Sequence, residues 1–138
     1  MKTTKILSIV LCFILIALAL VACAPKKDPE KAKASLESNG YEIHDTVDYL
    51  AGIASAIMGS KIDATVTATK EEKDADGNSK TEYITIIYYK TSADAKAAWE
   101  DAQKDAEKEK TEDDSDWVVA RSGRMIYWGT KAAVKAAS

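Results

Sequence analysis

The chain has 138 residues, 46% of them hydrophobic, with 19 Lys and Arg against 22 Asp and Glu and a net charge of −3 at pH 7. That length makes one domain, large enough to fold without a metal or a disulfide. The acidic balance argues against a nucleic-acid partner, which needs a basic face.

Lys2 and Lys5 give a basic start, and Ile6 to Ala22 then carries no charge. The apolar run is too short to span a bilayer comfortably, and it stops at small residues as a signal peptide does. Cys12 lies inside it as a small hydrophobe, and so does Phe13, the only Phe. The run closes on Leu20-Val21-Ala22-Cys23, which resembles the lipobox of bacterial lipoproteins. The resemblance implies cleavage between Ala22 and Cys23 and a diacylglycerol on the Cys23 thiol. It implies a membrane anchor on the extracytoplasmic face, no other cofactor, and no free thiol or disulfide in the mature chain. Residues 1–22 are therefore read as signal peptide, 23–29 as lipidated cysteine and tether, and 30–138 as a single α+β domain.

All 22 acidic residues follow Cys23, whereas two of the 19 basic ones precede it. The mature chain is thus more acidic than the whole. Lys26, Lys27, Lys31 and Lys33 are the local exception: they are either drawn to anionic headgroups or a solvated helix face.

Asp28-Pro29-Glu30 predicts a helix start, with Asp as N-cap and Pro at the first position, and Asn39-Gly40 predicts its end. Tyr41 to His44 alternates as a short strand. Val47, Leu50, Ile53, Ala54, Ile57 and Met58 sit at helical spacing, with a stop at Gly59. Ile62, Ala64, Val66 and Ala68 alternate with Asp63, Thr65, Thr67 and Thr69, the pattern of a strand with one buried face. Glu71 to Lys80 reads as a hairpin loop. Glu82 to Lys90 is apolar on both faces and so reads as a central strand. Thr91-Ser92 caps a helix whose apolar stripe is Ala95, Ala98, Trp99, Ala102 and Ala106. It runs into the acidic loop Glu112 to Asp116, read as a solvated loop or a weak cation site. Trp117 to Ala120 and Met125 to Trp128 flank Ser122-Gly123 as a second hairpin. Gly129-Thr130 then opens a short alanine-rich helix. The middle of this order is the βαββαβ of a ferredoxin-like split motif. The expected fold is an α+β two-layer sandwich with an extra C-terminal edge strand and flanking terminal helices.

Three groups are candidate sites. Asp74, Asp76 and Asn78 place oxygens at every second position, as a calcium loop does. Ser79 in place of the required glycine and Thr85 in place of the closing Glu favour an acidic hairpin tip instead. His44 has no Ser or Asp constellation around it, so no catalytic residue is assigned. The aromatic residues Tyr83, Tyr89, Trp117, Tyr127 and Trp128, with Arg124, form either a saccharide- or peptide-binding surface or the core of a Phe-free domain.

Beyond the lipobox, Gly40-Tyr41, the alanine-rich helix after Thr91-Ser92 and the closing Gly129-Thr130-Lys131 resemble small lipoproteins of Gram-positive type. The expected function is a non-enzymatic binding or interaction module of the cell envelope, with an envelope protein or a saccharide as partner. A small ligand-binding accessory lipoprotein and an envelope enzyme are the alternatives.

Overall fold

The computed structural model describes residues 24–44, 61–110 and 116–138. The helix expected over 47–59 and residues 112–115 of the acidic loop lie outside them.

Asp28 starts the first helix, α1 (Pro29–Ser38), by accepting hydrogen bonds from the Glu30 and Lys31 backbone N–H groups at 2.9 and 3.2 Å. These are two of the N–H groups that a helix leaves without partners at its start. The helix stops at Asn39, and Gly40 takes a φ of +84° beyond it. Strand β1 (Glu42–His44) follows. Strands β2 (Ile62–Lys73) and β3 (Ser79–Tyr89) form a long hairpin. Its arms are longer than the polar stretch suggested, because cross-strand pairing continues through Glu71, Glu72 and Lys73 opposite Thr81, Lys80 and Ser79. Helix α2 (Ser92–Glu109) is capped by Thr91, whose hydroxyl accepts from the Asp94 N–H at 3.1 Å. Strands β4 (Trp117–Ser122) and β5 (Met125–Thr130) form the second hairpin, and helix α3 (Lys131–Ala136) closes the described chain.

The five strands form one antiparallel sheet in the order β1-β2-β3-β5-β4. The class is α+β, as expected. The order is not that of the split motif, in which β1 would lie in the interior beside β3. Here β1 pairs with β2, Ile43 opposite Ala68, at the end of the sheet. The extra C-terminal strand does not extend an edge either. Strand β5 lies between β3 and β4, and all six of its residues are buried. Strand β4 carries the edge with Arg121 and Ser122. The strand with polar residues goes outside, and the wholly apolar or small one goes inside.

Helices cover both faces of the sheet, so the domain has three layers. Side-chain alternation on β3 sends Ile84, Ile86 and Tyr88 to the layer of α1 and α3, where Leu36, Val66, Met125, Tyr127 and Val134 join them. It sends Ile87 and Tyr89 to α2, with Ile126, Trp128 and the alanines Ala95, Ala98, Ala102 and Ala106. Small residues along α2 let the helix approach large aromatic rings closely, and large–small complementarity fills both layers. Each fully buried large side chain contributes about 1.5–3 kcal/mol to folding.

Gly129 is where β5 closes onto β3. A Cβ there would lie 2.1 Å from the Tyr83 carbonyl oxygen and 2.8 Å from Ile84 Cα. It belongs to the strand and permits the close backbone approach; it does not open the helix.

Residues 24–26 of the expected tether 23–29 are held against the domain. Pro25 is buried and Ala24 packs on the core. The Lys26 N–H donates to the Ala137 carbonyl at 2.8 Å, and the Lys26 carbonyl accepts from the Tyr88 hydroxyl at 2.7 Å. Ala24 to Lys26 thus pack against the domain.

Candidate functional site

The aromatic residues singled out by their alternation fall into different places. Tyr89, Tyr127 and Trp128 are 0, 3 and 0% exposed. They are core residues, as the second of the two readings has it: Tyr127 lies under α1 and α3, Tyr89 and Trp128 under α2. Arg124 is exposed at the other end of the sheet, where it meets Asp63 at 4.0 Å and donates to the Lys90 carbonyl at 3.4 Å. Tyr83, Trp117 and Trp128 lie in the α2 layer with Tyr89, and of these Tyr83 and Trp128 share a polar partner.

They meet around Glu109, on the last turn of α2. The Glu109 Oε2 accepts from the Tyr83 hydroxyl and, at 3.4 Å, from the Trp128 indole N–H. Tyr83 has one proton and gives it to the carboxylate, so the Thr85 hydroxyl, 2.5 Å away, must donate to the Tyr83 oxygen. By the same count the Thr67 hydroxyl donates to Thr85 at 3.4 Å. The result is a one-directional chain from Thr67 through Thr85 and Tyr83 to Glu109. Each donor polarises the next in a buried, low-dielectric setting. Thr67 on β2 and Thr85 opposite it on β3 are each 1% exposed, so the threonine-rich face of β2 is buried at its middle, with Thr65 and Thr69 half-buried on either side.

Tyr83 and Trp117 stack face to face, with centroids 6.1 Å apart and planes 2° from parallel. Both rings are half-buried, and the Trp117 indole N–H is buried with no hydrogen-bond partner among the described residues. One turn back along α2, the Asp105 carboxylate is fully buried and pairs with Lys108 at 3.2 Å. Burial, with the Asp105 charge as the smaller cause, pushes the Tyr89 hydroxyl up to about 12. Sequence reading missed Asp105 and Glu109. Their signal was present: four residues apart, they share a helix face with Ala102 and Ala106.

A second polar group sits on the opposite face. Glu82 is 4% exposed, with Lys80 Nζ at 3.4 Å from Oε1 and no hydrogen-bond partner at Oε2. Lys80 also reaches Asp116 at 3.7 Å. Lys70 pairs with Glu72 at 2.8 Å and lies 5.6 Å from the centre of the Tyr41 ring. Burial first, then the Glu82 and Glu72 charges, push the Tyr41 hydroxyl up to about 12.

At the hairpin tip the Asp74 Oδ1 accepts from the Asp76 and Asn78 backbone N–H groups, both at 2.9 Å. That carboxylate oxygen organises its own turn, an Asx arrangement. His44 Nε2 lies 2.6 Å from the Thr69 hydroxyl across the β1–β2 pair.

No family model, curated protein or solved structure matches the chain.

Proposed function

We propose that the protein is a lipid-anchored, extracytoplasmic interaction module of a bacterial cell envelope, working without catalysis. The observation that carries this reading is Leu20-Val21-Ala22-Cys23, set at the end of an uncharged run and directly before a packed domain. The described titratable groups support a binding role. The Glu109 carboxylate organises Tyr83 and Trp128, and His44 is engaged with Thr69.

Fractionation of cells expressing wild type and Cys23→Ser tests the anchor. Wild type is expected in the membrane fraction with a diacylglyceryl mass addition at Cys23, and the variant unprocessed or released. Normal maturation and membrane retention of the variant refute the reading.

The Tyr83–Trp117 stack favours a saccharide or a peptide as partner. It offers a half-buried aromatic platform whose indole N–H has no acceptor among the described residues, and such platforms recognise sugar rings and aromatic side chains. Trp117→Ala should weaken retention on envelope glycan or peptide arrays at least tenfold. Equal retention of both proteins eliminates the platform.

A further inference from the structure

We infer that the sheet end bearing Lys61, Lys90 and Arg124 is a docking face for anionic phospholipid headgroups, held against them by the anchor. This inference rests on the lipid-anchor reading above. Cys23 is joined to Ala24, and consecutive Cα atoms are about 3.8 Å apart. Ala24 packs on the core, Pro25 is buried, and Lys26 is fastened at both its N–H and its carbonyl. A lipid on Cys23 therefore has almost no slack. The part of the domain nearest Lys26 must lie at the headgroups.

Hydrogen bonds identify that part. Tyr88, the partner of Lys26, is next to last in β3. The adjoining Lys90 N–H donates to the Lys61 carbonyl at 2.9 Å, and the Tyr89 N–H donates to the Arg124 carbonyl at 2.8 Å. The starts of β2 and β5 thus meet the end of β3 there, and Lys26, Lys27, Lys61, Lys90 and Arg124 are all exposed. Asp63, 4.0 Å from Arg124, and Asp28, which caps α1, offset part of this charge. The opposite end of the same hairpin carries Glu71, Glu72, Asp74, Asp76 and Glu82, with Lys70, Lys73 and Lys80 among them. The domain is acidic as a whole, yet Lys26, Lys27, Lys61, Lys90 and Arg124 gather at the anchored end while the hairpin acids lie at the other. An anionic surface attracts the first and repels the second within a Debye length of about 8 Å at physiological salt.

The test uses the full chain, purified with its acyl group from a bacterial membrane and reconstituted into vesicles of phosphatidylcholine, with or without phosphatidylglycerol. An impermeant amine reagent labels accessible lysines, and peptide mass spectrometry gives the rate at each. Each cation at the surface gains about a fivefold preference for headgroups. Lys27, Lys61 and Lys90 should therefore label several-fold more slowly on the anionic vesicles, while Lys73 and Lys110 are unchanged. The protection should vanish at about 0.5 M salt, where the Debye length is about 4 Å. Lys61→Glu combined with Lys90→Glu should remove the protection of Lys27 without detaching the protein. Intact mass separates the two ideas. A protein without diacylglycerol at Cys23 refutes the anchor and the docking together. An acylated, vesicle-bound protein labelled equally at both ends refutes the docking alone.

Discussion

Gly129→Ala adds one methyl group at the point where β5 runs closest to β3. The new Cβ would sit 2.1 Å from the Tyr83 carbonyl oxygen, 2.8 Å from Ile84 Cα and 3.0 Å from the Tyr83 carbonyl carbon. All three are backbone atoms of the strand at the middle of the sheet. No rotamer change relieves the clash, so the two strands must separate by more than about 1 Å to reach ordinary contact. Separation breaks the ladder around the Ile84–Gly129 pair and lifts Trp128 off α2. Overpacking a core costs about 1–3 kcal/mol, and a φ of +154°, rare for a residue with a Cβ, adds to it. A loss of about 3–5 kcal/mol is expected, a large share of the roughly 5–15 kcal/mol that holds a domain folded. For a domain of this size it lowers Tm by about 12–20 °C. Thermal melts followed by circular dichroism measure it, with Gly123→Ala as the control. Gly123 also has a positive φ, +57°, but no atom within 4 Å of its would-be Cβ, so it should lose only about 1 kcal/mol. If Gly129→Ala melts within a few degrees of wild type, or no lower than Gly123→Ala, the close approach is not what holds β5 in place.

Trp128→Ala, which empties a fully buried site under α2, should destabilise by about 3–5 kcal/mol in denaturant unfolding; an effect below about 1 kcal/mol would return Trp128 to the surface. Tyr83→Phe and Glu109→Gln should each cost about 1–2 kcal/mol and, in a double-mutant cycle, couple by more than about 0.5 kcal/mol, because they share one hydrogen bond. Additive losses would dissolve the chain of hydroxyls. Asp74→Ala should cost about 1 kcal/mol through the lost turn bonds, and millimolar calcium should leave the wild-type melting temperature unchanged; a calcium-dependent rise would restore a metal role to Asp74, Asp76 and Asn78. Stability should also fall in alkali. The Tyr41 and Tyr89 hydroxyls ionise near 10 when unfolded but are pushed up to about 12 by burial. Below pH 10 both states keep the proton and stability is full; above it only the unfolded state ionises, so each ring removes roughly 1–2 kcal/mol as the pH approaches 12. A melting temperature flat from pH 9.5 to about 11.5 would contradict this sign.

Local chemistry was legible in the residues. Asp28-Pro29 and Thr91-Ser92 each mark a helix start, because a side-chain oxygen must satisfy N–H groups that the helix leaves open. The apolar face of β2 and the two-faced burial of β3 follow from alternation. Sheet order did not follow, since alternation says which face is buried and nothing about which strand lies alongside. The clue was compositional: Met-Ile-Tyr-Trp-Gly-Thr has no charge to keep in water, whereas Trp117 to Ser122 contains Arg121. The aromatic residues stayed open between surface and core for a related reason. Alternation puts Tyr88 and Tyr89 on opposite faces, but only the helix count on each face decides whether either is exposed. With α1 and α3 on one side and α2 on the other, both are buried. The Glu109 cluster was hidden by sequence distance, because Tyr83, Glu109 and Trp128 meet only through the antiparallel return of β5 along β3.

Covering both faces of the sheet restricts where a partner can bind. The helices' outer faces are charged and solvated, and β1 is three residues long. Strand β4 is different: it is the other edge of the sheet, paired on one side only with β5. Trp117 begins it, stacked on Tyr83 and carrying a donor that no group among the described residues accepts. That end also bears the acidic hairpin tip and lies opposite the end near Lys26. An anchor at Cys23 would therefore leave the Trp117 end pointing away from the bilayer. Buried N–H groups in folded proteins find partners almost without exception, so an acceptor brought by another molecule is the simplest use for this one. A Trp117→Phe variant keeps the ring and drops the donor. If a partner is captured by wild type and by Trp117→Phe equally well, the platform acts through its ring alone. A tenfold loss, about 1.4 kcal/mol, would assign the missing hydrogen bond to the partner.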